Sequence, residues 1–183
     1  YYKSTKILLN YVDDFEQYSF NIIENDIPDL LDMLDLDTEK KIRSLLIKSV
    51  LFQSIQCFKE LLKTNKLSKP TILTLAKFCC FFDQTNFLYE IKNRFKLERK
   101  EIKELIYYCY ENGIYEQVKK FNSKLLDQKC LDIVLDNFLK DKPNSRSGLV
   151  YTIENIEYIN SIDNNVFYKL KNCEDDLILN TLT

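Results

Sequence analysis

The sequence contains no histidine and no tryptophan, and only two glycines, three prolines and one methionine among 183 residues. Without histidine, the chain cannot by itself supply a Ser-His-Asp triad, a histidine general base or a histidine-containing metal site. Its glycines, Gly113 and Gly148, cannot form a P-loop or a GxGxxG turn. So few glycines and prolines disfavour a fold of many β-hairpins and favour helices joined by polar connectors.

Further absences narrow the functional classes. No apolar run reaches the roughly 18 residues that cross a bilayer, so we expect no membrane partner. The acidic segment 24–37 has no glycine for an EF-hand turn; Asp29, Asp32 and Asp35 are spaced among leucines as on the exposed face of an amphipathic helix. We therefore expect no metal, no cofactor and no catalytic residue, and predict that the chain is not an enzyme. A deep, closed pocket holding several carboxylates or a cysteine would favour the opposite.

The chain begins YYKSTKILLN, without methionine and with an apolar run too short for a secretory signal. We expect a fragment of a longer chain. None of the six cysteines forms a CxxC pair, and most lie inside apolar stretches. We expect buried, reduced thiols, which predicts a cytoplasmic protein and leaves association with the cytoskeleton open.

Charge is unevenly distributed along the chain. Residues 1–37 have a net charge of −7, residues 38–129 of +9, and residues 130–183 of −4. A basic central surface would suit an acidic protein partner, whereas solvated helix faces are the simpler interpretation. Few aromatic residues are interleaved with the basic ones and the whole chain has a net charge of −2, which disfavours nucleic acid.

A pattern of about thirty residues recurs through the chain. Polar residues interrupt apolar runs at Asn25-Asp26, Gln53-Ser54, Asp83-Gln84 and Gly113, and the anchor positions 25, 53, 83 and 113 are 28, 30 and 30 residues apart. Each anchor is followed by a second apolar run with helical spacing, for example Ile55, Phe58, Leu61 and Leu62. The polar residues therefore predict turns between paired short helices, and a repeat of helix pairs predicts an all-α solenoid of stacked antiparallel helix pairs, with four to six units.

The segment 44–66, SLLIKSVLFQSIQCFKELLKTNK, resembles the second half of an ankyrin repeat. In this resemblance Gln53-Ser54 take the place of the Gly-His turn, Ser49-Val50 of the two small residues before it, and Leu46 of the leucine in TPLH. Leu61-Leu62 match the Leu-Leu pair, and Asn65 stands where a glycine ends the helix. The likeness is to the divergent ankyrin-like repeats of protists and large DNA viruses.

The resemblance covers residues 17–125 and implies a non-catalytic protein-interaction scaffold. The TPLH segment and the terminal Gly-Ala-Asp are missing, so the β-hairpin fingers of ordinary ankyrin repeats are not expected. We predict a single helical-repeat domain over 1–183, in which 126–183 forms irregular C-terminal helices or a cap. The alternative is a structural subunit of a cytoskeletal or ciliary assembly with another helical-repeat fold, although a repeat of 28–30 residues is shorter than the usual units of those families.

Two sets of residues are candidates for protein binding. The first consists of the apolar residues just before two turns: Leu51, Phe52, Phe81 and Phe82. We favour burial of these four side chains, and a protein-binding patch is the alternative. The second set lies in KNRFKLERK (92–100), interpreted as a basic loop between repeats that could contact an acidic protein: Lys92, Arg94, Lys96, Arg99 and Lys100.

Overall fold

The computed structural model describes residues 15–64 and 66–156, with side chains described from residue 17. Within these ranges the chain is helical and contains no strand. The α-helices in chain order are α1 (Phe15–Glu24), α2 (Glu39–Leu51), α3 (Ile55–Leu61), α4 (Lys69–Phe81), α5 (Thr85–Arg94), α6 (Arg99–Glu111), α7 (Tyr115–Val118), α8 (Gln128–Leu139) and α9 (Ser145–Asn155). Short 3-10 helices cover Pro28–Met33 and Ser123–Leu125. The prediction of an all-α fold is confirmed at this level.

A left-handed residue ends the first helix of each pair. These residues are Asp26, Gln53, Asp83, Gly113 and Asp141, with φ between 48° and 71°. In each turn this residue donates its N–H to the carbonyl three residues back, and the next residue donates to the carbonyl five residues back. These two hydrogen bonds form the Schellman motif, which satisfies carbonyls that the helix end leaves open. Asn144, directly before α9, is left-handed as well.

These turns confirm the predicted helix breaks, since α2 ends before Gln53 and α4 ends before Asp83. The intervals between the left-handed residues of these turns are 27, 30, 30 and 28 residues. The sequence analysis places no turn at Asp141, and the structure adds this fifth turn. The described part of 126–183, predicted as irregular C-terminal helices or a cap, contains α8 and α9.

Side-chain caps explain where several helices begin. The Thr38 hydroxyl accepts from the N–H of Lys41 at the start of α2, and the Asp127 carboxylate accepts from the N–H of Cys130 at the start of α8. Before α6, the Glu98 N–H donates to the Glu101 carboxylate at 2.7 Å, and the Glu101 N–H donates to the Glu98 carboxylate. This pair of hydrogen bonds is a capping box, which fixes a helix start that hydrophobic periodicity alone does not locate.

The acidic segment after Asp26 differs from its prediction in detail. Pro28–Met33 is a 3-10 helix and not an α-helix. Leu30 and Leu31 are buried, while Asp29 and Asp32 are exposed. The amphipathic separation of leucines and aspartates is therefore confirmed, with a tighter helical turn than expected.

The chain divides into two compact units. The first unit contains 1–79 and 84–96, and the second contains 80–83 and 97–183. The single repeat domain proposed over 1–183, with its cap in 126–183, remains a prediction. Residues 157–183 of the predicted cap region lie outside the described residues, as does Asn65.

In the first unit, helices at equivalent positions of successive pairs contact each other. The first helices α1 and α2 pack together, and the second helix α3 contacts both the 3-10 helix Pro28–Met33 and α5. The core consists of aliphatic and aromatic side chains from both helix sets, with Leu45, Leu46, Phe58 and Ile91 fully buried. Phe58 and Phe87 meet edge to face, with ring centroids 4.8 Å apart.

The second unit has the same contact pattern. The first helices α6 and α8 pack together, and so do the second helices α7 and α9. Within each pair the two helices also contact each other, α6 with α7 and α8 with α9. A buried polar group joins these helices: the Asn137 amide donates to the Tyr110 carbonyl at 2.7 Å and to the Tyr115 hydroxyl at 3.0 Å. The Tyr110 and Thr152 hydroxyls lie 2.6 Å apart. These hydrogen bonds satisfy polar atoms that burial would otherwise leave without a partner.

Candidate protein-interaction surface

The two residues before each left-handed turn residue face solvent. At the end of α2 these are Leu51 and Phe52, whose exposed fractions are 53% and 40%. Before the turn at Asp83 they are Phe81 and Phe82, exposed by 55% and 44%. The burial that we favoured for all four side chains is wrong. These two positions lie at the end of the helix, directly before the Schellman turn. Their side chains are outside the face that packs in the core, so they point outward.

The pairs three and four residues before the turn behave in the opposite way. Ser49 and Val50 are buried, as are Cys79 and Cys80. The Ser49 hydroxyl donates to the Leu45 carbonyl at 2.8 Å, which satisfies its hydrogen-bonding capacity inside the core. Helices α2 and α4 therefore each end in a buried pair followed at once by an exposed pair.

Phe20 extends the exposed apolar surface in the first unit. It lies on α1, is exposed by 39%, and meets Phe52 edge to face with ring centroids 5.0 Å apart. Phe81 and Phe82 form a similar edge-to-face pair with centroids 5.2 Å apart. The sequence analysis did not identify Phe20, because a contact between rings on two helices has no signal in the spacing along one helix.

Other turns carry polar residues at the position of the exposed pair. Glu24 and Asn25 precede the turn at Asp26, and Glu111 and Asn112 precede the turn at Gly113. All four are exposed and are followed by the same Schellman hydrogen bonds. The backbone therefore forms equally well with polar side chains at this position. Apolar residues there are not required for the turn.

The candidate basic residues 92–100 do not form one loop. Lys92 and Arg94 lie in the last turn of α5, Arg99 and Lys100 lie in the first turn of α6, and only 95–98 is non-helical. The loop prediction is wrong because cations are favourable near the carboxyl end of a helix, so α5 continues through them. All five candidates are exposed, and Arg94 donates to the Lys63 carbonyl at 3.3 Å.

In the first unit, a groove of about 360 Å³ runs between α3 and α5 and is lined by Lys59, Leu62, Lys63, Glu90, Asn93 and Arg94. The Lys59 ammonium lies 3.2 Å from the Glu90 carboxylate. Exposed ion pairs of this kind contribute little to stability. The charged residues that line the groove are three cations, Lys59, Lys63 and Arg94, and one carboxylate, Glu90, which pairs with Lys59.

In the second unit, a cleft of about 620 Å³ lies against α6 and is lined by Arg99, Lys100, Lys103, Glu104 and Tyr107. Asp127 accepts from Lys103 and, at 2.8 Å, from the Tyr107 hydroxyl. Burial raises the pKa of Asp127, but the hydrogen bonds from Lys103 and Tyr107 outweigh burial and hold the pKa below its usual value. Burial, the same hydrogen bond and the Asp127 charge raise the pKa of Tyr107. Asp127 is therefore a charged carboxylate that caps α8 and accepts hydrogen bonds from α6, and the Tyr107 hydroxyl remains protonated.

The described cysteines have the properties predicted for them. Cys57, Cys79, Cys80, Cys109 and Cys130 are buried and free, and Cys173 lies outside the described residues. Burial, with the nearby Asp26 carboxylate, raises the pKa of Cys57 to about 12. A hydrogen bond from the Cys109 thiol to Cys80, together with burial, raises the pKa of Cys109. Thiols with raised pKa values are poor nucleophiles and poor metal ligands.

Over the described ranges, no group of three or more cysteine, aspartate or glutamate side chains is arranged to hold a metal ion. None of the helices in the described part of the chain combines the length and the apolar character needed to cross a membrane. Comparison with known proteins finds no family model, no curated protein and no solved structure that matches the chain.

Proposed function

We propose that the chain is a non-catalytic protein-interaction scaffold, an α-solenoid of stacked antiparallel helix pairs with ankyrin-like units. The regular turns and the first-to-first and second-to-second helix contacts inside each compact unit support this arrangement. In a repeat fold each pair buries its apolar face only against its neighbours, so an extended surface remains for binding.

The observation that carries the proposal is the exposure of Leu51, Phe52, Phe81 and Phe82 at a position where the turns at Asp26 and Gly113 carry two polar residues. Because the turn forms without apolar side chains there, folding does not account for their exposure. Large apolar side chains kept on the surface mark sites where another protein is bound. The partner is another protein, and the exposed cations Lys92, Arg94, Lys96, Arg99 and Lys100 add charged contacts for an acidic surface.

Hydrogen bonds between successive pairs in the first unit hold in place the helices that carry and support Leu51 and Phe52. The Asp26 carboxylate accepts from the N–H groups of Gln56 and Cys57 at 3.1 and 2.8 Å, in the first turn of α3. The Ser68 N–H and hydroxyl both donate to the Glu39 carboxylate, at 2.7 and 2.6 Å. These bonds link residues 29 to 31 positions apart. They fix one helix pair relative to the next, and a rigid support reduces the entropy lost on binding.

Affinity purification of the full-length protein with cross-linking mass spectrometry tests the proposal. The variants are Leu51→Glu/Phe52→Asn and Phe81→Glu/Phe82→Asn, which introduce the pair found at Glu111–Asn112. Glu111→Gln serves as a control at the same position of another turn. We expect the wild type and the control to recover the same partner proteins in similar amounts. With one or both double variants, the amount of partner recovered should be at least about tenfold lower. Equal recovery with all four proteins would contradict the proposal.

A further inference from the structure

Asn112 and Gly113 form the single Asn-Gly dipeptide of the sequence, since the other glycine, Gly148, follows Ser147. A backbone nitrogen that follows an asparagine can attack the amide carbon of that side chain, which closes a cyclic imide and releases ammonia. Glycine has no Cβ to hinder this approach, so its nitrogen reacts more readily than that of other residues. The local sequence therefore makes Asn112 the most reactive asparagine of the unfolded chain.

The position of Asn112 in the folded chain leaves its side chain open to solvent. Asn112 is exposed and directly follows the last residue of α6. The reaction needs water and hydroxide, and both reach an exposed amide. Burial therefore does not protect this asparagine, and any protection has to come from the geometry of the turn.

The turn keeps the two reacting atoms apart. The ψ angle of Asn112 is 3°, which places the Gly113 nitrogen beside the backbone nitrogen of Asn112 and away from its side chain. Ring closure needs a rotation about the Cα–C bond of Asn112, until the Gly113 nitrogen lies on the side of Cβ and within attacking distance of Cγ. The closed turn is therefore an unreactive conformation.

Two hydrogen bonds oppose this rotation. The Gly113 N–H donates to the Tyr110 carbonyl at 3.1 Å, as part of the Schellman motif. The Asn112 side-chain amide donates to the Tyr108 carbonyl at 2.8 Å. Rotation moves the Gly113 nitrogen away from Tyr110, and the attack draws the side chain away from Tyr108. Both bonds have to break, which is a local opening of the turn.

From this combination of a reactive dipeptide and a turn that separates its atoms, we infer that Asn112 is a site of spontaneous deamidation that reacts only when the turn at Gly113 opens. The Gly113 nitrogen gives its proton to hydroxide and bonds to Cγ, while the Cγ–Nδ2 bond breaks and ammonia leaves with a proton from water. Water then opens the imide at either carbonyl, which yields aspartate or isoaspartate at position 112. The inference goes beyond the proposed scaffold function and does not depend on it.

Either product disfavours closing of the turn. The new carboxylate stands at the carboxyl end of α6, next to Glu111, where the helix dipole disfavours negative charge. In isoaspartate the chain also continues through the side-chain carbonyl, so the backbone is one atom longer and the Schellman hydrogen bonds lose their register. Deamidation therefore leaves a permanent mark on a chain whose turn has opened.

The test incubates the full chain at mildly alkaline pH, in native buffer and in urea above the midpoint of unfolding. Peptide mapping by mass spectrometry then measures asparagine, aspartate and isoaspartate at each position. Asn25 is the internal control, because it is exposed before the turn at Asp26 and its amide donates to the Asn21 carbonyl at 2.9 Å. The two asparagines thus share their setting, but Asp26 has a Cβ and Gly113 has none.

We expect Asn112 to deamidate at least about tenfold faster than Asn25 in urea, because the following residue then distinguishes the two sites. In native buffer, Asn112 should react at least about tenfold more slowly than in urea, because only the opened turn reacts. Gly113→Ala should slow the reaction in urea to about the rate at Asn25. This comparison is made on unfolded chains, so it does not require the variant to fold.

Three results would overturn the inference. Equal rates at Asn112 in native buffer and in urea would show that the turn gives no protection. A rate in urea no higher than that of Asn25 would show that the dipeptide is not the reactive site. A rate in urea that Gly113→Ala leaves unchanged would show that the Gly113 nitrogen is not the attacking group.

Discussion

The turns at Gln53 and Gly113 have the same backbone and different surroundings. Both residues are left-handed, with φ of 58° and 71°, and both are followed by the same pair of Schellman hydrogen bonds. The Gln53 turn is preceded by exposed Leu51 and Phe52, whereas the Gly113 turn is preceded by exposed Glu111 and Asn112. Local hydrogen bonding therefore defines the turn, and the residues of the exposed pair can differ without changing the turn.

The two turns also differ at the start of their second helices, and the largest predicted effect tests this difference. Ile55 is half-buried two residues after Gln53, whereas Tyr115 is buried two residues after Gly113, with its ring against Gly148. A methyl group on Gly148 would lie 2.7 Å from Tyr115 Cε1 and closer to two other ring carbons. Gly148→Ala should therefore lower the free energy of unfolding by about 3 kcal/mol, measured by urea denaturation.

Ser147→Ala is the control for this prediction, because Ser147 is exposed on the same helix. It should change the free energy of unfolding by less than about 0.5 kcal/mol. In an ordinary helix position, glycine to alanine stabilises by about 1 kcal/mol. A stabilised Gly148→Ala protein would show that the close approach to Tyr115 does not exist.

The turn at Asp26 makes an interaction that glycine at position 113 cannot make. Its carboxylate accepts from two N–H groups in the first turn of α3, where Ser54 provides no side-chain cap. Asp26→Ala leaves these donors without their partner and should lower the free energy of unfolding by about 1.5 kcal/mol. Asp32→Ala, at an exposed position, should have no effect in the same urea titration. Equal effects of the two variants would mean that Asp26 is not a cap.

Adding a glycine at one turn and removing the glycine from the other should change the stability of the chain in opposite directions. Left-handed backbone costs a residue with a Cβ about 1 kcal/mol relative to glycine, so Gln53→Gly should stabilise the chain by about that amount. Gly113→Ala should destabilise it by a similar amount through backbone strain alone, because the nearest atom to an added Cβ is 3.8 Å away. Shifts in thermal melting temperature measure both changes. Effects of the same sign would contradict the equivalence of the two turns.

Most of the helical architecture could be predicted from the sequence, but its boundaries could not. The breaks at Gln53 and Asp83 are visible because polar residues interrupt apolar runs at regular intervals. The fifth turn at Asp141 was missed because the polar run 140–147 hides the start of α9, which has few apolar residues in its first turn. The ends of α5 and α6 depend on caps and on helix-dipole interactions, which the periodicity of apolar residues does not report.

The sequence analysis assigned the wrong burial to the candidate apolar residues. Leu51 and Phe52 continue an apolar run, and sequence alone assigns such residues to the core. Leu51 lies on the solvent side of α2 and Phe52 directly follows the last residue of that helix, so neither side chain enters the core. Arg94 and Arg99 were assigned to one loop, although the structure places them on separate helices. Tertiary contacts, such as Phe20 with Phe52, carry no signal in the spacing of either helix.

The most direct test of the central claim is urea unfolding of Leu51→Glu/Phe52→Asn, which gives the Gln53 turn the exposed pair of the Gly113 turn. If the apolar pair is present for binding and not for folding, the variant loses the edge contact of Phe52 with Phe20 and the covered part of the two side chains. The free energy of unfolding should then fall by less than about 2 kcal/mol. A fall of more than about 2.5 kcal/mol, as expected for a pair that belongs to the core, would contradict the account.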